Sequence, residues 1–268
     1  IAHPAKKLKQ YQRTLIARLE PLLPVHDAAF AYKRNTGIKQ NAQKHQKSRY
    51  LLKMDFQNFF HSITPELFFS IVKQHNVELT KDDKYLLEQI LFFCPSKRTG
   101  GKLILSIGAP SSPLISNVVL FFFDQALYEV CKNQGIIYTR YADDITFSTN
   151  IKNQLFEFPL VVKHLLVKHF SGQITINESK TVFSSMSHNR HVTGVTITNE
   201  GELSIGRERK RYISSLIHQF SLNQLPDEDR RYLQGLFAFA CDIEPVFKQR
   251  MIKKYSLETI NKIITALR

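Results

Sequence analysis

Ile137-Tyr138-Thr139-Arg140-Tyr141-Ala142-Asp143-Asp144-Ile145-Thr146-Phe147-Ser148 is the stretch on which the fold turns. Two apolar, strand-like runs, Ile136 to Tyr141 and Ile145 to Ser148, enclose Ala142-Asp143-Asp144. That pattern predicts a hairpin with two acids at its tip. In a straight strand Asp143 and Asp144 would point to opposite faces, whereas a turn brings at least one to the rim and keeps the other nearby. Aspartate itself tolerates turn conformations, so the tip needs no glycine.

Working outward, Tyr50 to Phe56 reads as a short buried strand with Asp55 at its end. Two carboxylates from a hairpin and one from a neighbouring strand are the minimum cage for a pair of divalent cations. Two-metal phosphoryl transfer uses such a cage, with metals about 3.5–4 Å apart that activate the attacking oxygen and clamp the leaving one. Magnesium prefers hard oxygen ligands, and without a cation the three acids would repel one another. The plainer reading of Asp143-Asp144 is an ordinary polar turn.

The surrounding sequence alternates helix and strand signals. Residues 5–20 form a basic amphipathic helix ended by Pro21 and Pro24, and 31–49, polar and without clear period, reads as a loop or ribbon. Thr64-Pro65 opens a helix, and Thr80 with Asp83 forms a capping box for another that runs to about Phe93. Lys102 to Leu105 is a short strand, and Ser112-Pro113 opens a long helix over 113–133, closed by Gly135. Helix 159–170 is followed by strands near 174–176 and 181–184. His191 to Thr198 and Glu202 to Ile205 read as a hairpin about Asn199-Glu200-Gly201. After Gly206 the chain reads as helical: about 207–220, 226–240, 245–254 and 256–267.

The 268 residues suffice for a sizeable core, and a hydrophobic content of 43% excludes a disordered tail. The formal net charge of +14 points to a polyanionic partner. Lysine and arginine crowd residues 1–54 and 207–268, while 55–206 is close to neutral, as expected of a chemical centre between lobes that grip a backbone. Cys94, Cys131 and Cys241 lack zinc-site spacing and fit a reducing, cytoplasmic setting. No apolar run approaches 18 residues, so no membrane span is expected. The chain opens on Ile1 with no signal-peptide pattern, and we expect its true N-terminus to lie upstream.

With these residues in place, the sequence resembles a reverse transcriptase. Asp55 matches that family's first catalytic aspartate and Tyr141-Ala142-Asp143-Asp144 its Y-x-D-D box. Phe60, five residues after Asp55, matches the aromatic that excludes a 2′-hydroxyl, with core packing as the plainer alternative, and the resemblance implies a part for Phe56 in nucleotide selection as well. Gly108-Ala109-Pro110, continued by Ser111-Ser112-Pro113 and Asn117, matches the loop and helix that place template and nucleotide. Lys180 in Asn177-Glu178-Ser179-Lys180-Thr181 matches a lysine that approaches the triphosphate, the alternative being a solvated side chain. Ile107 departs from the glutamine usual at that place, removing a hydrogen-bonding group near template and nucleotide.

Within the family, the closest likeness is to bacterial retron enzymes. Asn41-Ala42-Gln43-Lys44-His45 and Val192-Thr193-Gly194 match two of their signatures. Asn41 and His45 then either contact RNA or pin their loop. Arg207, Arg209, Lys210 and Arg211 open a helix where positive charge opposes the dipole, so an outside phosphate is their natural partner. The resemblance implies an α+β, right-hand polymerase: fingers and antiparallel-sheet palm in 1–206, helical thumb in 207–268. It implies two Mg2+ ions on Asp55, Asp143 and Asp144, and deoxynucleotides as substrates. It implies a cognate structured non-coding RNA as template and primer, extended from a guanosine 2′-hydroxyl into a branched RNA–DNA hybrid (msDNA). An effector protein and a part in anti-phage defence complete the expectation. The rivals are a group II intron-like or other defence-associated reverse transcriptase, and a catalytically silent RNA-binding structural protein.

Overall fold

In the computed structural model, residues 4–98 and 100–265 are described. The chain divides into two compact units, 1–185 and 186–268, so the boundary expected at 206/207 falls inside the second of them.

The first unit carries helices α1 (Lys6–Leu19), α2 (Ile38–His45), α3 (Phe59–Ser62), α4 (Pro65–Gln74), α5 (Lys81–Leu91), α6 (Ser112–Val119), α7 (Phe121–Asn133) and α8 (Phe158–Phe170). Its strands are β1 (Tyr50–Asp55), β2 (Phe92–Phe93), β3 (Ile104–Leu105), β4 (Ile137–Tyr141), β5 (Asp144–Thr149) and β6 (Val182–Ser185). The main sheet has the order β4-β5-β1-β6 with every neighbour antiparallel. Helices and an antiparallel sheet segregated in this way make the unit α+β, as expected.

Alternation along the strands sorts the sheet into two faces. Leu52, Met54 and Phe56 from the β1 segment and Ile145 and Phe147 from β5 join Phe123, Leu127, Phe158, Val162 and Phe170 of α7 and α8 in one core. Ring contacts bind the layers, with Phe56 centred 6.0 Å from Phe123 and Phe147 5.3 Å from Phe158. Each such fully buried side chain contributes about 1.5–3 kcal/mol against solvent exposure. The opposite face carries Asp55, Lys53 and Leu51 beside Asp144, Thr146 and Ser148, and these beside Tyr141, Thr139 and Ile137.

Several local expectations change. Residues 38–45 are helical, not loop; of the three buried side chains of α2, Asn41 and His45 are polar and only Ala42 is apolar, which conceals the helical period. The long helix over 113–133 is two helices bent by 50° at Leu120, where no glycine or proline marks the break. Residues 174–176 supply one isolated bridge, Phe56 to Ile176, and no strand. The helix from Thr80 stops at Leu91, and Phe92–Phe93 pairs with Ile104–Leu105. The capping box is as read, with Thr80 Oγ1 accepting from Asp83 N at 3.1 Å and Thr80 N donating to Asp83 Oδ2 at 3.0 Å.

The second unit holds β7 (Arg190–Val192), β8 (Val195–Ile197) and β9 (Leu203–Ser204) in that order, then α9 (Arg207–Ser221), α10 (Asp227–Ile243), α11 (Pro245–Tyr255) and α12 (Leu257–Thr265). The hairpin expected about Asn199 is a three-stranded meander, since Thr193 (φ 48°) and Gly194 (φ 79°) insert an extra tight turn. No single helix among the described residues is long and apolar enough to cross a membrane.

Candidate active site

The β1–β5 register sets Asp55 directly opposite Asp144, and the β4–β5 register sets Asp144 opposite Tyr141. That leaves Ala142 and Asp143 as a two-residue loop. Ala142, not an aspartate, takes the left-handed conformation (φ 56°), so the conformational cost falls on a residue without the polar side chain that eases aspartate into it. Such a residue costs on the order of 1–2 kcal/mol and persists only where its surroundings over-determine it.

Arg140 supplies that determination. Its Nη1 donates to the Ala142 carbonyl at 3.0 Å and to Asn117 Oδ1 at 3.0 Å. Its other nitrogens reach Asp124, with Nη2 to Oδ2 at 2.6 Å and both side chains fully buried. Tyr138 donates its hydroxyl to Asp124 Oδ1 at 2.7 Å, and Asn117 Nδ2 donates to the Ala31 carbonyl at 3.0 Å. Backbone bonds finish the tip: Phe56 N donates to the Asp143 carbonyl at 3.1 Å and Asn177 N to the Asp55 carbonyl at 2.8 Å. The sequence reading missed Arg140 and Asp124. Their signal was a lone charge inside each of two apolar runs.

An open cavity of about 330 Å³ adjoins this tip, lined by Asp55, Phe56, Phe60, Ile107, Asp143 and Lys180 among others. Asp144 is not among its lining residues and is exposed on the neighbouring strand end. Loss of surrounding water, then Asp143 and Asp55, push the Asp144 carboxyl up to about 6. Asp143 is also raised, chiefly by desolvation. Lys180 spans the Asp55 carboxylate, with Nζ 3.0 Å from Oδ1 and 3.1 Å from Oδ2, and this hydrogen bonding raises the lysine. Asp55, Asp143 and Asp144 act on one another electrostatically and offer the hard-oxygen donors that suit magnesium, whose charge would relieve their repulsion. Among the described residues no three His, Cys, Asp or Glu side chains form a ready-made metal cluster.

Phe60 is half-buried, its ring 5.4 Å from Phe59, with its free side on the cavity. Phe56 belongs mostly to the core. Ile107 is 40% exposed, the first residue of the loop that continues through Gly108 (φ 92°), Ala109 and Pro110; these three do not line the cavity. Ser112 Oγ donates to the Ser106 carbonyl at 2.6 Å and closes that loop.

Asn41, His45 and Asn117, expected near template or RNA, have buried side chains. His45 bridges two strands of this sheet face, Nδ1 to Ser148 Oγ and Nε2 to Thr139 Oγ1, both 2.7 Å. Both ring nitrogens are thereby engaged and the ring is buried, an arrangement that holds α2 against the sheet. Asn117 is committed to Arg140 and Ala31.

In the second unit Val192 is buried, while Thr193 and Gly194 form the turn. Arg209 lies 5.4 Å from the Phe239 ring centroid and its Nη1 is 3.4 Å from the Gly194 carbonyl. Lys210 pairs with Glu244 at 2.7 Å, and Glu244 also accepts from Ser204 Oγ at 2.8 Å. Arg207 and Arg211 are exposed. So the basic cluster splits into two residues that knit the unit and two that face solvent.

Residues 1–197 match the reverse transcriptase (RNA-dependent DNA polymerase) family. The chain is 48% identical to the retron Ec83 reverse transcriptase of Escherichia coli over 263 residues, covering 98% of this chain and 84% of that protein. It is 33% identical to the Escherichia coli retron Ec73 reverse transcriptase, with coverages of 96% and 83%. With the retron Mx65 reverse transcriptase of Myxococcus xanthus it shares 29% identity over 94% of this chain and 60% of that one. The chain belongs to the reverse transcriptases, the RNA-directed DNA polymerases. Its relatives place it in their bacterial retron-type group.

Proposed function

We propose that this chain is the polymerase of a retron, copying part of a cognate structured RNA from an internal guanosine 2′-hydroxyl into a branched RNA–DNA product. The observation that carries the reading is the pairing of Asp55 with Asp144 at the end of the sheet, with Asp143 on the cavity beside them. Magnesium held by these three aspartates would supply the Lewis acidity for attack of the primer hydroxyl and departure of pyrophosphate. Phe60 bounds the sugar side of the cavity and discriminates against a 2′-hydroxyl. Lys180, on the cavity wall, meets the phosphates of the incoming deoxynucleotide. The strands and helices of 1–206 serve as fingers and palm, and 207–268 as thumb. An effector protein joins the RNA–DNA product in defence against phage, a part that rests on the family resemblance alone.

The test supplies purified protein with its transcript and labelled deoxynucleotides, without an added primer. DNA joined covalently to the RNA and released by a 2′–5′ debranching enzyme is the expected result. Product that needs an added primer, or ignores debranching, removes the retron-specific reading. Asp55→Asn and Asp143→Asn should abolish synthesis while RNA affinity stays within about twofold, since the grip is spread over many phosphates.

A further inference from the structure

The Lys180–Asp55 contact is unusual for a residue meant to serve phosphates. The ammonium lies nearly equidistant from both Asp55 oxygens, at 3.0 and 3.1 Å, and so covers the carboxylate edge that a cation would use. It comes from the solvent side: the lysine side chain is 58% exposed and that of Asp55 10%. Its base is fixed, because Lys180 closes the 3-10 turn Glu178–Lys180 and that turn is tied to β1 by the 2.8 Å bond from Asn177 N to the Asp55 carbonyl. Glu178 does not compete for it, being paired with Lys163 at 2.6 Å. A short tether with a long flexible side chain gives an ammonium that can leave and return to one place.

We propose that Lys180 is the resident counter-ion of the site: it occupies Asp55 while metal and nucleotide are away, and a divalent cation must displace it to reach that carboxylate. Given the polymerase reading on which this rests, the displaced ammonium is freed toward the nucleotide's phosphates. Metal entry and nucleotide capture are then linked through one side chain. The linkage also keeps a stray cation from settling on Asp55 before a substrate is there to take over the lysine.

The experiment titrates Mn2+ into the full chain without nucleotide or nucleic acid and reads free Mn2+ by electron paramagnetic resonance. Lys180→Ala should bind Mn2+ about fivefold more tightly than wild type, as expected for loss of one unit charge at contact distance in a water-like medium. Lys180→Arg, which keeps a fork for the carboxylate, should bind no more tightly than wild type. In an Asp55→Asn background Lys180→Ala should change nothing. Unchanged or weaker binding by Lys180→Ala, a gain that survives Asp55→Asn, or no binding by Lys180→Ala at all would overturn the proposal. Primer extension by wild type is measured alongside. Its absence with the Mn2+ order intact would count against the polymerase reading and leave the counter-ion in place.

Discussion

Arg140 and Asp124 form an ion pair of 2.6 Å with both side chains sealed from solvent, and the same guanidinium holds the carbonyl of Ala142. A buried charge pair of this kind is weak as a source of net stability but severe when halved. Asp124→Asn should therefore cost about 3–5 kcal/mol, because it leaves the Arg140 guanidinium buried without its counter-charge. Denaturant unfolding would show it as a fall in midpoint. A fall below about 1 kcal/mol would mean the pair does not carry the turn.

Phe60→Ala should widen the cavity beside the sugar. The expected result is a fall of at least about tenfold in the ratio of kcat/KM for deoxynucleotides over ribonucleotides. An unchanged ratio returns Phe60 to the core, where its contact with Phe59 already half places it.

His45 gives a pH dependence with a definite sign. Burial pushes its imidazole down to about 3 from an ordinary 6.5, so the folded protein keeps it neutral. The unfolded chain takes up the proton first. Stability from this group is thus complete above 6.5 and is lost as pH falls from there toward 3. The loss approaches about 1.4 kcal/mol per pH unit inside that window. Other half-buried histidines, His26, His75 and His169, shift the same way, so the measurement is a difference. His45→Gln should unfold more easily at pH 7.5 yet lose less between pH 7 and 5 than wild type. Parallel curves would sink the assignment.

The four basic residues at the start of α9 should separate in a salt titration of RNA binding. Replacing exposed Arg207 and Arg211 by alanine should flatten the log–log salt slope, by up to about 0.9 for each duplex phosphate no longer neutralised, with little change in melting. Lys210→Ala should instead destabilise the protein, by up to about 1 kcal/mol, since Glu244 loses its nearer cation and keeps Ser204 and the more distant Arg250. The reverse pattern would show that Lys210 leaves Glu244 for RNA.

What the sequence disclosed followed from whether its signals were local. Thr64-Pro65 and Thr80 with Asp83 begin helices through bonds made within four residues, and both are where they were expected. The Tyr141–Asp144 hairpin is equally local, and the 141–144 pairing follows from its length. The opposition of Asp55 to Asp144 needs the register of two distant strands, which no local pattern encodes; the strand-end acid and the family likeness pointed to a neighbouring strand, not to the register. Helix α2 was missed because two of its three buried side chains, Asn41 and His45, are polar, and His45 finds its partners on β4 and β5. The bend at Leu120 was missed because the residues around it are apolar on every side, so periodicity carries no mark of a change in direction. The motif around Lys180 points to phosphates, and its seat on Asp55, 125 residues away in sequence, lies beyond any motif.

That separation has a consequence in time. A ribosome adding about 5–20 residues per second needs roughly 6–25 s to travel from Asp55 to Lys180. Throughout that interval β1 has emerged without β6, and for most of it without β5, the two strands that flank it in the sheet. A nascent chain therefore carries an apolar strand with two unpaired edges for seconds, and the carboxylates come together only near the end of the first unit's synthesis. The lysine seat on Asp55 is among the last parts of the site to be made, so a chain truncated before residue 180 carries the three aspartates without it.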